Sequence, residues 1–72
     1  MGEQGAGLAV LIAAVEAEMN EALADMSREH KQVAVAKLNE RGAFHYRKAV
    51  EDTADSLGVS RFTVYNNLNA RS

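Results

Sequence analysis

Residues 60–69, SRFTVYNNLN, concentrate side chains that hydrogen-bond to flat, polar partners. Arg61 offers a planar fork of N–H donors, which suits two adjacent acceptors such as guanine O6 and N7. Asn66 donates and accepts at once, the pattern that matches adenine N6 and N7. Phe62 is suited to contact with a thymine methyl group. Ser60, Thr63, Tyr65 and Asn67 add hydroxyl and amide groups of the kind that hold phosphate oxygens. Arg47 and Lys48 lie upstream and add positive charge that can grip a polyanion, with solvated surface as their plainer fate. Chemistry that makes or breaks bonds has no comparable set of residues. There is no cysteine, so disulfides, thiolate metal sites and Cys nucleophiles are excluded together. His30 and His45 have no second ligand or carboxylate at helical i+4 spacing and are expected at the surface. Glycine-rich phosphate loops and nucleophile elbows are absent too. The expectation is a protein that is not an enzyme, with no metal, cofactor or small-molecule ligand.

Recognition groups of this kind need a rigid, exposed helix face, and residues 50–69, VEDTADSLGVSRFTVYNNLN, are patterned to supply one. Ala54 is small where two helices must approach. Gly58 follows four residues later and can take the left-handed conformation of a sharp interhelical turn. Val59 fills the angle, and Val64 and Leu68 hold the second helix against the first. Ser60 is a suitable N-cap for that helix, over 61–70. With Val64 and Leu68 inward, Phe62, Asn66 and Asn69 fall on the opposite face, with Thr63 and Ala70 at its flanks. Together these spacings predict a helix-turn-helix, for which a generic helical hairpin is the plainer alternative.

The rest of the chain also reads as helical. Ser27 caps a helix running to residue 41, with Glu29 in its first turn and Ala34, Val35 and Leu38 inward. Gly42 ends it, Phe44 anchors a short connector, and a third helix over 47–57 turns Val50, Ala54 and Leu57 inward. Earlier, Leu8, Ile12, Val15, Met19, Ala22 and Met26 recur in a 4-3-4-3-4 pattern, the seam of a short coiled coil. A chain of 72 residues gains from a partner, because its core is small. Helix 8–26 is therefore expected to form a homodimer through those six residues. The glycine-rich residues 1–7 are expected to be a flexible leader. The fold class that follows is all-α, about four helices, with a long N-terminal dimerisation helix (8–26) and a C-terminal helix-turn-helix domain (27–72).

Charge is segregated along this plan. The net charge is −2, yet residues 1–26 hold five acids and no Lys or Arg, whereas residues 27–72 carry a net +3. The apolar stretch 8–15 lacks a basic flank and is far too short to span a bilayer. A cytoplasmic protein without membrane contact is expected.

The stretches MSREHKQVAVAKLNERGAF and AVEDTADSLGVSRFTVYNNL resemble the C-terminal DNA-binding region of the YheO/DauR-type transcriptional regulators. The resemblance covers residues 26–70 and is most specific over LGVSRFTVYNNL; residues 8–25 resemble the family's linker helix more loosely. The family's PAS-like sensor domain has no counterpart in these residues, so ligand response does not carry over. Asn67 stands where the family pattern has an aromatic residue, and His45, Tyr46 and Thr53 stand at positions that are usually apolar. The resemblance implies sequence-specific binding of double-stranded DNA in transcription regulation. Two readings compete with it: a helix-turn-helix module for protein–protein contacts, and a dimerising fragment of a longer sensor-regulator.

Overall fold

The computed structural model describes residues 3–70, with side chains over 7–69; residues 1 and 2 of the expected leader lie outside the described residues. Four α-helices follow one another: α1 (Glu3–Met19), α2 (Arg28–Glu40), α3 (Ala49–Leu57) and α4 (Arg61–Ala70). Single 3₁₀ turns, Leu23–Asp25 and Ala43–His45, join the first three. The described residues contain no strand, so the fold is all-α.

The N-terminal helix departs from the expected span at both ends. It begins at Glu3, inside the supposed leader. Gly7 is a packing residue there: a Cβ at this position would fall 2.7 Å from the Tyr46 hydroxyl oxygen. The helix stops at Met19 and does not continue to residue 26. Asn20 takes a left-handed φ of 58°, one of the few non-glycine residue types that does so readily. The Glu21 N–H then donates to the Glu16 carbonyl at 3.2 Å, the long bond of a Schellman closure. Glu16 also accepts the Leu23 N–H on its side-chain Oε2 at 2.9 Å, which fixes the following turn. The chain reverses at this point, and Leu23 and Met26 enter the core.

This reversal corrects the expected dimer seam. Leu8, Val15 and Met26 are buried in their own chain, and Ile12 and Met19 pack partly against the same cluster. Ala22, the remaining member, is exposed beside the turn. The apolar period therefore belongs to the domain's interior and forms no continuous stripe for a second copy. Nor does the fold divide at residue 26, since one core cluster runs from Leu8 to Val64.

The helix α2 is the centre of the packing, against α1 and against α4. Ser27 Oγ caps it by accepting the His30 N–H at 3.2 Å, and Ala34, Val35 and Leu38 are buried. Gly42, at φ 78°, turns the chain out of it. Phe44 packs partly against the core from the connector, where Ala43 is fully buried. The helix α3 starts at Ala49, two residues later than expected, because Lys48 adopts a left-handed φ of 59°. Its inner face includes Ala49 and Thr53 as well as Ala54 and Leu57, with Val50 half-buried. The Thr53 hydroxyl is fully buried without a hydrogen-bond partner.

Candidate nucleic-acid interface

The α3–α4 corner is built by backbone bonds that the sequence makes available. Gly58 sits at φ 74°, its N–H bonds the Asp55 carbonyl, and the Val59 N–H bonds the Ala54 carbonyl at 3.0 Å. This pair of bonds is a complete Schellman motif, and glycine meets its left-handed position without a Cβ penalty. Ser60 then opens α4: its Oγ accepts the Thr63 N–H at 3.1 Å and lies 3.1 Å from Thr63 Oγ1. Both hydroxyls thus take part in the cap. Val64 is fully buried and Leu68 partly so, which fixes the rotation of α4 about its axis.

That rotation leaves most of the expected recognition residues outside. Ser60, Arg61, Tyr65 and Asn66 are exposed, and Phe62 keeps 72% of its surface. Thr63 is half-buried. Asn67 departs from the outward placement: at 9% exposure it lies mostly inside the packing, on the side of α4 that faces α2. The cause is that α4 packs against α2 as well as α3, so its buried arc is wider than Val64 and Leu68 imply. Phe62, Asn66 and Asn69 run along the crest of α4, Arg61 and Tyr65 lie on one flank, and Thr63 lies on the other.

The two flanks meet different neighbours. On the α3 side, Glu51 Oε2 lies 3.9 Å from Arg61 Nη1 while its Oε1 lies 3.8 Å from Lys48 Nζ. These exposed pairs contribute at most about 1 kcal/mol each, so they orient the cations without sequestering them. Arg47 and Lys48 are exposed just before α3, and Lys48 shares Glu51 with Arg61. Lys48 is also strained, since a left-handed backbone costs a non-glycine residue about 1–2 kcal/mol.

On the other side, a groove of about 650 Å³ separates α4 from the N-terminal half of α2. Phe62, Thr63 and Asn66 face Arg28, Lys31 and Gln32 across it, with Leu57 and Val59 contributing apolar lining. Those three α2 residues were outside the expected site, because no local spacing relates residues 28–32 to residues 62–66. One local sign does exist: Arg28 and Lys31 stand in the first turns of a helix, where the dipole disfavours cations.

No cluster of three or more acids and histidines that could hold a metal occurs among the described residues. His30 does gain a carboxylate that local spacing had not indicated, since its Nδ1 contacts Glu21 from the reversal after α1. No described helix is long and apolar enough to cross a membrane.

A helix, a three-residue corner turning on a left-handed glycine, and a second helix with a polar outward face define a helix-turn-helix. The comparison with known families agrees. A family model described as "HTH domain" matches residues 8–69, and the chain belongs to that family. No curated protein and no solved structure gives a match.

Proposed function

We propose that the chain is a sequence-specific, DNA-binding transcription regulator of the YheO/DauR type, and that α4 enters the major groove of the duplex. The observation that carries this reading is the outward surface of α4. Arg61, Phe62, Tyr65, Asn66 and Asn69 are exposed on one rigid helix, and residues 56–70 contain no acid to repel a polyanion. In this reading Arg61 reads guanine, Asn66 reads adenine and Phe62 contacts a thymine methyl. Ser60, Thr63 and Tyr65, with Arg47 and Lys48, meet the backbone.

The reading includes two copies on an inverted repeat, with half-sites about one helical turn, roughly 34 Å, apart. Because the Leu8 to Met26 stripe is spent on the interior, the copies pair through another surface. The exposed side of α1, with Ala9, Val10, Ala13 and Ala17, is the apolar face left for that role.

Arg61→Ala tests the reading at one residue. The expected result is a loss of about 1–3 kcal/mol at one base pair of a preferred site, with relaxed preference there. Unchanged affinity and preference in a folded variant would refute the docking. The exposed aromatics Phe62 and Tyr65 favour a second reading, since aromatic side chains also anchor protein–protein interfaces. An interaction module of that kind would show neither sequence preference nor a steep salt dependence on DNA.

A further inference from the structure

We infer that Arg28 and Lys31 of α2 hold the phosphate strand on one side of α4, opposite the strand that meets Arg47 and Lys48. This rests on α4 as the duplex-reading helix, and it adds a second contact track to that reading. The first ground is geometric. An α-helix with its side chains is about 10–12 Å across, and the major groove is about 12 Å wide. A helix lying in that groove therefore has a phosphate strand along each flank. One flank of α4 adjoins the start of α3, as the approach of Glu51 to Arg61 shows. The other faces the groove that Arg28, Lys31 and Gln32 line with Phe62 and Asn66.

The second ground is how α2 distributes its charge. Lys37 and Arg41, near its C-terminal end, both pair with Glu18 of α1. Arg28 and Lys31 form no ion pair with any described residue. Helical spacing sets Arg28, Lys31 and Gln32 on one side of α2. Glu29 and His30 fall around the helix from them, and His30 is engaged by Glu21. Two uncompensated cations and an amide thus border the helix that carries the recognition groups. The chemistry that completes this edge is a row of phosphate oxygens.

The test measures binding to a labelled mixed-sequence DNA duplex of about two helical turns, from about 50 to 200 mM salt. The double variant Arg28→Gln/Lys31→Gln is compared with the wild type and with Lys37→Gln, whose cation is already paired. The three side chains altered, Arg28, Lys31 and Lys37, are at least partly exposed, so folding is preserved and is checked by circular dichroism. The expected result is a log-log salt slope shallower by about two in the double variant, since each phosphate contact contributes about 0.9. Lys37→Gln keeps the wild-type slope. A wild-type slope in the double variant, or an equal change in Lys37→Gln, overturns the second track while leaving α4 as the reading helix. A folded wild-type chain that binds duplex without salt dependence overturns both.

Discussion

The helix α2 has two long cations near each end, and the fold treats the two pairs oppositely. Lys37 and Arg41 lie against α1, where Glu18 takes both and α1 packs on α2. Arg28 and Lys31 lie against α4, where an open groove replaces the seal and no described acid answers them. The first contact serves the fold, and removing it acts on stability. The second contributes little to the fold and leaves charge and hydrogen-bonding capacity for a ligand. A surface cation in a small domain is informative only once its partners are known.

The largest expected effect tests the closed side. Leu38→Ala should lower stability by about 2–5 kcal/mol, because it opens a cavity in a fully buried position. Arg28→Gln should change stability by no more than about 0.5 kcal/mol. Urea denaturation of the two variants side by side would break the contrast if their order were reversed.

Two substitutions in the corner region sharpen it from the other direction. Thr53→Val should raise stability by about 1 kcal/mol, because it removes a buried hydroxyl that bonds nothing. A lower denaturation midpoint would mean that the hydroxyl has a partner in solution. Lys48→Gly should also stabilise, by up to about 1 kcal/mol, by relieving a left-handed non-glycine backbone. The same change should weaken duplex binding, so stability and affinity move in opposite directions. A variant that lost both would identify Lys48 as a structural residue.

On the closed side, a small effect is expected from Glu18→Gln. Losing two partly exposed ion pairs should cost less than about 1 kcal/mol, measurable as a small shift in the urea midpoint. A larger loss would give the α1–α2 charges more weight in the fold than solvent screening allows.

The corner was legible in the sequence because its determinants are local. Ala54, Gly58, Val59 and Ser60 act over a few residues through a left-handed turn and a cap, and the structure uses each of them. The inward rotation of α4 followed from Val64 and Leu68, which left Arg61, Phe62 and Asn66 outside. The misread features all depend on contacts distant in sequence. Asn20 stops α1 inside an unbroken apolar period, and the reversal is secured by the Glu16 side chain reaching Leu23. Gly7 looked like leader composition because its reason, the Tyr46 ring, lies 39 residues away. Local spacing puts Asn67 outside because it carries no sign of α2 as a neighbour of α4. The position of Arg28 and Lys31 beside α4 likewise exists only after α2 docks, so no local spacing signals it.

The central claim is that the folded chain reads DNA sequence through α4. The most direct measurement incubates the chain with a randomised duplex pool at near-physiological salt and sequences the retained molecules. The account predicts enrichment of a defined motif with guanine and adenine at the positions read by Arg61 and Asn66, and loss of the guanine preference in Arg61→Ala. A folded sample that retains no preferred sequence would contradict it.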